Sequence, residues 1–108
     1  MHPKEHKNYR DELYLKWIRE QPSIVSGDYD KWVTDIGSGK NDAHHVWNTG
    51  KKGKRNDYLA VPLTRKEHQL YHQIGHKGFE EKFNINLEWC IINLMSDYLR
   101  GIHGLETE

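Results

Sequence analysis

The sequence predicts an α+β fold in which a β-hairpin and the helix after it lie between an N-terminal and a C-terminal helix. Three observations predict this class. Apolar residues recur at helical spacing in residues 9–21 and again in residues 87–100, and two short strand-like runs lie between them at 43–47 and 58–63. A chain of 108 residues has room for one domain and little for a second.

The first predicted helix spans residues 9–21 and ends before Pro22, which cannot continue a helix. Its apolar stripe consists of Leu13, Trp17 and Ile18, with Tyr14 beside them. The segment 23–42 is rich in Ser, Gly and Asp, and we expect one short strand in it, at 31–35.

The central hairpin pairs the strands 43–47 and 58–63, and its long tip carries four cations: Lys51, Lys52, Lys54 and Arg55. Pro62 has no N–H, which indicates a strand end or an edge. Thr64 and Glu67 have capping-box spacing and predict a helix start. That helix runs to about residue 74, and Gly75 is expected to end it.

The last part of the chain is also predicted to be helical, as a short turn at 78–83 and a helix at 87–100 that Asn86 caps and Gly101 ends. The final helix is apolar at Trp89, Ile91, Ile92, Leu94, Met95, Tyr98 and Leu99. This stripe is wider than one core needs, so we expect part of it to face a partner chain. Cys90 on the same helix is expected to be a buried small hydrophobe.

Composition narrows the function classes. There are 16 basic and 16 acidic residues, and this balance argues against a non-specific nucleic-acid coat. No apolar run approaches the roughly 18 residues of a membrane span, and we expect no signal peptide. The single cysteine cannot form an intrachain disulfide, which is consistent with a reducing cytosol.

Eight histidines are the unusual feature of the composition. His68 and His72 lie four residues apart on one helix face, where two imidazoles can bind one divalent metal. His44 and His45 offer a third ligand, although strand alternation lets at most one of them face the helix pair. The alternatives are a polar strand pair without a metal and a solvated helix face. His76 continues the series beyond the predicted helix end, as a ligand or a phosphate contact.

These motifs resemble the HNH nucleases, also called ββα-metal or His-Me finger enzymes. In that family a metal ligand is followed at once by a general-base histidine and an apolar residue, as in Ala43-His44-His45-Val46. The colicin-type branch also has HxxxH on the helix. Small phage and prophage HNH proteins share further motifs in the same order over residues 13–85: Trp17-Ile18-Arg19-Glu20-Gln21-Pro22, Gly53-Lys54-Arg55-Asn56-Asp57-Tyr58 and Val61-Pro62-Leu63.

The resemblance implies a single nuclease domain over 1–108, with a ββα-metal core at about 43–75 and flexible ends at 1–8 and 102–108. It implies that His45 is the general base and that a divalent Mg, Mn, Ni or Zn ion is bound by His44, His68 and His72. Contacts to DNA would come from Lys51, Lys52, Lys54, Arg55, Arg65 and Lys66.

The resemblance also implies a residue that ties the hairpin loop together, at Asn56 or Asp57. We favour Asp57 because relatives keep an acid before the tyrosine. The expected products carry a 5′-phosphate and a 3′-hydroxyl.

The chain departs from its phage relatives at a structural zinc site. Ser23 and Ser26 stand where relatives have Cys-x-x-Cys, Thr64 stands where they have a third cysteine, and Glu67 occupies the fourth position. We therefore expect no structural zinc, and we expect the capping box and packing of tryptophans to stabilise the helix start instead. The candidate tryptophans are Trp17, Trp32 and Trp47.

Three functions remain open from the sequence. The first is a metal-dependent DNA endonuclease of phage or prophage recombination or DNA processing, in the bacterial cytosol. The second is a DNA-binding recombination-accessory module that cuts weakly or not at all, and the third is a structural metal-binding interaction domain. As partners we expect DNA and a second copy of the chain, bound through the last helix, and no membrane. We expect low DNA sequence specificity, because so small a chain has little surface with which to read a base sequence.

Overall fold

The structure, a computed structural model, describes residues 9–33, 38–46 and 56–103, without the side chains at 32, 33, 38, 102 and 103. Within these residues the fold is α+β, as predicted. The elements in chain order are α1 (Glu12–Arg19), β1 (Lys31–Val33), β2 (Ser38–Lys40), β3 (Asp42–His45), a 3-10 turn (Asp57–Leu59), β4 (Ala60–Leu63), α2 (Arg65–Phe83) and α3 (Leu87–His103).

Several predictions from the sequence lie outside the described residues. They concern the chain ends at 1–8 and 104–108, the ends of two predicted strands at 34–35 and 47, and the cationic hairpin tip with Lys51, Lys52, Lys54 and Arg55. The packing expected of Trp32 and Trp47 also lies outside them.

Helix α1 is shorter than predicted, and its buried face includes the predicted Tyr14 and Ile18 but not Leu13. Asp11 is its N-cap and accepts a hydrogen bond from the Tyr14 N–H, so the helix begins at Glu12. Its buried residues are Tyr14, Leu15 and Ile18. Leu13, predicted to lie on the apolar stripe, is instead 73% exposed. The stripe prediction was wrong for Leu13, since a short helix leaves the choice between neighbouring faces to tertiary packing.

Strands β3 and β4 form the predicted hairpin, with His44 opposite Val61 and His45 opposite Ala60. The predicted second strand is shorter at its start, because the Asn56 side chain accepts from the Tyr58 N–H and turns the chain into the 3-10 turn. Pro62 is tolerated because its strand has only one described partner strand, β3.

A second, smaller antiparallel sheet joins β1 to β2. Strand β2 has the sequence Ser-Gly-Lys and was not predicted, because it has no apolar alternation. Its Gly39 is buried, and a β-carbon there would overlap the ring of Tyr29. This close approach explains the glycine.

Helix α2 begins as predicted, with Thr64 as N-cap and both hydrogen bonds of the capping box to Glu67 present. Its helical dihedral angles break at Gly75, which has φ 82° and ψ 172°. The predicted end at Gly75 is therefore a break inside α2, and the chain is helical again through the predicted turn at 78–83.

Helix α3 follows after a left-handed residue, Asn84. The side chain of Asn86 accepts from the Trp89 N–H, which confirms it as the predicted cap. The helix continues to His103, beyond the predicted end, because Gly101 is helical. No helix among the described residues is long and apolar enough to cross a membrane.

The core lies on both sides of β4, all four of whose residues are buried. Ala60 packs against α1, while Val61 and Leu63 pack against buried residues of α2 and α3. Leu94 and Met95 of α3 contact both clusters. The hairpin is thus held between α1 and the later helices, which gives its outward-facing residues a rigid base.

Candidate metal centre

Three histidines from two elements meet beside the hairpin. On β3, His44 points toward α2, where His68 and His72 lie one turn apart. The ring centroids are 4.5 Å apart for His44–His68, 5.3 Å for His44–His72 and 5.0 Å for His68–His72. One ring nitrogen of each lies within 4.8 Å of the others. These are the three residues that the sequence analysis proposed as ligands.

The state of His44 fits a metal ligand. His44 is 4% exposed, and its Nε2 has no hydrogen-bond partner among the described residues. Burial, followed by the neighbouring His68, His72 and His45, lowers the pKa of His44 to about 3. The imidazole is therefore neutral at physiological pH and keeps a lone pair for coordination. A buried nitrogen without a partner is costly, and coordination would remove that cost.

Asp42 supports the cluster and was not predicted. Its Oδ2 lies 3.0 Å from His68 Nδ1 and 3.0 Å from Arg65 Nε. Burial would raise the pKa of Asp42, but the hydrogen bonds from His68 and Arg65 lower it below its usual value. The ionised carboxylate accepts the Nδ1 proton of His68, so the lone pair of that imidazole is on Nε2. The available signal was spacing, because Asp42 lies two residues before His44 on the same strand face.

His45, the proposed general base, follows His44 on β3 and has its own hydrogen-bond partner outside the three-histidine cluster. Its Nε2 lies 2.8 Å from Asp57 Oδ1. It nevertheless lines the same cavity of about 520 Å³ as the cluster; the other lining residues are Ala43, His44, Val46, His68, Tyr71, His72 and His76. His44 therefore faces the histidines of α2 and His45 pairs with Asp57, while one cavity reaches both.

The structure distinguishes the two candidates for the loop position. Asn56 caps the 3-10 turn, whereas Asp57 is buried against His45. Asp57 also accepts from the Asp11 N–H at 2.7 Å and lies 3.5 Å from Arg10 Nε. It therefore joins the start of α1 to both strands of the hairpin, a wider role than tying the loop.

His76 reaches the cavity although it follows the helix break. Its Nδ1 lies 3.0 Å from the hydroxyl of Tyr71, which also donates to the carbonyl oxygen of Val46 at 3.1 Å. Because that hydroxyl has one proton and uses it on Val46, His76 donates its Nδ1 proton to Tyr71.

The family model for "Protein of unknown function (DUF968)" matches residues 1–100. The chain belongs to the DUF968 family. No curated protein and no solved structure matches it.

In this DUF968 chain, the residues that the HNH resemblance placed at zinc-ligand positions form a hydrogen-bonded cluster. Glu67 Oε1 accepts from the Ser23 hydroxyl at 2.6 Å and from the Thr64 N–H at 2.9 Å. The Ser23 oxygen in turn accepts from the Ser26 N–H at 3.1 Å. The cluster fastens the turn after α1 to the first turn of α2.

Two of the proposed DNA-contacting cations, Arg65 and Lys66, lie among the described residues of the DUF968 chain, and the fold separates them. Arg65 lies beside the histidine cluster through its ion pair with Asp42 and is 65% exposed in its side chain. Lys66 lines a different cavity on the outer side of α2, together with Gln69 and Gln73. The structure therefore does not bring Lys66 to the histidines.

Proposed function

We propose that this chain is a metal-dependent DNA endonuclease of the HNH, or ββα-metal, type. The observation that carries the proposal is the cavity shared by the three-histidine cluster and a fourth histidine, His45, which is hydrogen-bonded to a carboxylate. The hairpin of β3 and β4 followed by α2 supplies these residues in the order in which the family resemblance expects them.

His44, His68 and His72 would hold the metal. They would place a divalent ion where it could supply polarisation of a phosphate and stabilisation of the leaving oxygen. Three neutral imidazoles without a carboxylate accommodate Zn or Ni as well as Mg or Mn. Asp42 orients His68, and the buried position of His44 keeps its ring neutral.

The proton step belongs to His45. A neutral imidazole accepts the proton of the water that attacks phosphorus, and histidine is the side chain most often used for such proton transfers. The products would be a 5′-phosphate and a 3′-hydroxyl. Arg65 supports the choice of a phosphodiester substrate, because an exposed guanidinium beside the cluster can contact a backbone phosphate.

The setting we propose is phage or prophage recombination or DNA processing in the cytoplasm of a bacterial host. We also propose a homodimer through α3. Its support is an outward row of large apolar side chains: Trp89 is 62%, Ile92 47% and Leu99 51% exposed. An identical row on a second copy is the simplest cover for it.

The test of the nuclease proposal is cleavage of supercoiled plasmid with Mg, Mn, Ni or EDTA. We expect nicking or linearisation that needs metal and that falls at least about 100-fold in His45→Ala, with metal and DNA binding retained. The matched control is Gln73→Ala, an exposed α2 residue next to His72 that does not line the histidine cavity. Cleavage unchanged in His45→Ala would contradict the assignment of the base.

The same experiment separates the other two functions. DNA binding without cleavage under any metal, in a folded protein, would favour the recombination-accessory module. A fold that melts when EDTA removes the metal would favour a structural metal domain, since a structural zinc contributes roughly 10–16 kcal/mol. For the nuclease we expect a smaller loss of stability on chelation.

A further inference from the structure

Asp57 is a charged residue in the interior of the fold, with a side chain that is 0% exposed. Among the described residues, three donors face its two oxygens. Oδ2 accepts from the backbone N–H of Asp11 at 2.7 Å and lies 3.5 Å from Arg10 Nε, while Oδ1 lies 2.8 Å from His45 Nε2. Whether Asp57 is ionised therefore determines which group donates in each of these hydrogen bonds.

The carboxylate can only accept these hydrogen bonds. Burial would raise the pKa of Asp57, but the hydrogen bonds from the Asp11 N–H and His45, together with Arg10, lower it below its ordinary value. An ionised carboxylate has no proton to give, so the hydrogen between Asp57 Oδ1 and His45 Nε2 belongs to the histidine. A neutral His45 then has its lone pair on Nδ1.

We propose that Asp57 is a positioning residue that holds His45 as the Nε2–H tautomer, so that Nδ1 is the nitrogen available to take a proton. The proposal rests on the proposed nuclease function only for what Nδ1 does with that proton. The start of α1 takes part in this positioning, because the Asp11 N–H donates to Oδ2 of Asp57 and so leaves Oδ1 facing His45.

The geometry predicts what the nearly isosteric Asp57→Asn change does. The amide has one oxygen and one NH₂ group. A backbone N–H already points at the Oδ2 position, so the oxygen must stay there and the NH₂ group must face His45. His45 Nε2 then has to accept, its proton moves to Nδ1, and the basic nitrogen is lost although the fold can be retained. This is the physical cause of inactivity when the aspartate of a catalytic triad is replaced by asparagine.

The experiment is a ¹⁵N NMR spectrum of the histidine side chains of the full chain at pH 8, without metal. The His45 signals are assigned by their loss in His45→Gln. We expect a protonated Nε2 and an unprotonated Nδ1 in the wild type, and the reverse in Asp57→Asn. The control is Asp97→Asn, which removes an exposed carboxylate of α3 and should leave the spectrum of His45 unchanged.

A wild-type His45 protonated at Nδ1, or a tautomer that Asp57→Asn leaves unchanged, would overturn the proposal. If Asp57→Asn does not fold, the wild-type spectrum still decides it. Plasmid cleavage is measured in parallel, and we expect a loss of about 10⁴-fold in Asp57→Asn. A wild type that cuts no DNA but shows the expected tautomer would reject the nuclease and leave the role of Asp57 standing.

Discussion

Asp42 and Asp57 each accept a hydrogen bond from one ring nitrogen of a histidine. The lone pair of that imidazole is then on its other ring nitrogen. Asp42 pairs with Nδ1 of His68, and Asp57 pairs with Nε2 of His45. Both carboxylates have a lowered pKa and remain ionised at neutral pH. The two histidines are thus set for different tasks by carboxylates at opposite ends of the hairpin.

Replacing Asp42 by asparagine should weaken divalent-metal binding about 10- to 100-fold, because His68 loses the charged acceptor that orients its ring. Titration calorimetry with Ni²⁺ measures the affinity. Asp28→Asn, which changes an exposed carboxylate in the turn after α1, is the control and should bind like the wild type. Equal affinities in both variants would show that Asp42 does not support a metal site.

Glu67 gives the hydrogen-bonded cluster at the start of α2 a defined pH dependence. Burial would raise its pKa, but hydrogen bonds from Ser23, Ser26 and Thr64 lower it. Glu67 therefore binds a proton at a higher pH in the unfolded chain, where the pKa of a glutamate is about 4.3, than in the folded chain. Glu67 contributes stability above that pH, and the contribution is lost as the pH falls through the lower folded-state pKa.

Glu67→Gln should accordingly be less stable than the wild type at pH 7, with a difference that shrinks as the pH falls from 5 to 3. Urea denaturation at each pH measures the free energies of unfolding. Glu81→Gln, on the exposed side of α2, should show no such trend. A difference that grows on acidification would mean that the carboxylate is not stabilised by the fold.

At the scale of elements, the break in α2 decides which residues reach the cavity. The dihedral angles of Gly75 lie in a region that is open essentially to glycine alone. Beyond it the chain changes direction, and His76 meets the hydroxyl of Tyr71. An uninterrupted helix would carry His76 along the line of His68 and His72, so the glycine separates its role from theirs.

Gly75→Ala should destabilise the fold by about 1–3 kcal/mol through backbone strain alone, since a β-carbon there would meet no atom within 4 Å. Gly101→Ala is the matched change in a regular helix, where a β-carbon also meets nothing, and it should stabilise by about 0.5–1 kcal/mol. Chemical denaturation of both variants measures the two signs. Stabilisation by Gly75→Ala would show that α2 is unbroken in solution.

At the scale of the whole molecule, β4 is enclosed by helices, and α3 has more apolar surface than the enclosed core uses. Leu87 and Ile91 face inward and are buried. Trp89, Ile92 and Leu99 are exposed, and their spacings of three and seven residues place them on one side of the helix. The breadth of the apolar stripe, predicted from the sequence, is therefore confirmed for the described residues.

If the row is the interface of a homodimer, Ile92→Glu should convert the dimer to a monomer, because a charge would be buried at the contact. Light scattering at high protein concentration measures the mass. Gln73→Glu adds the same charge at an exposed position of another helix, α2, and should leave the dimer intact. A wild type that is strictly monomeric at high concentration would rule the homodimer out.

Local rules account for what the sequence predicted well. The capping box at Thr64, the cap at Asn86 and the interruption at Gly75, which was predicted as a helix end, each depend on residues within a few positions of one another. The spacing of His68 and His72 places them on one helix face for the same reason. A regular strand implied that His44 and His45 would have different partners, and the structure has that arrangement.

Contacts between distant residues were decided by the tertiary structure alone. The sequence does not show which face of the short α1 is buried, or that Ser-Gly-Lys forms a strand against β1. Nor does it show that Asp57 meets the Asp11 N–H 46 residues away. Such contacts depend on how the hairpin packs between α1 and the later helices. The sequence by itself determined most of the elements and the candidate histidines through short-range periodicity and capping, whereas the hydrogen-bond partners that orient those histidines required the folded chain.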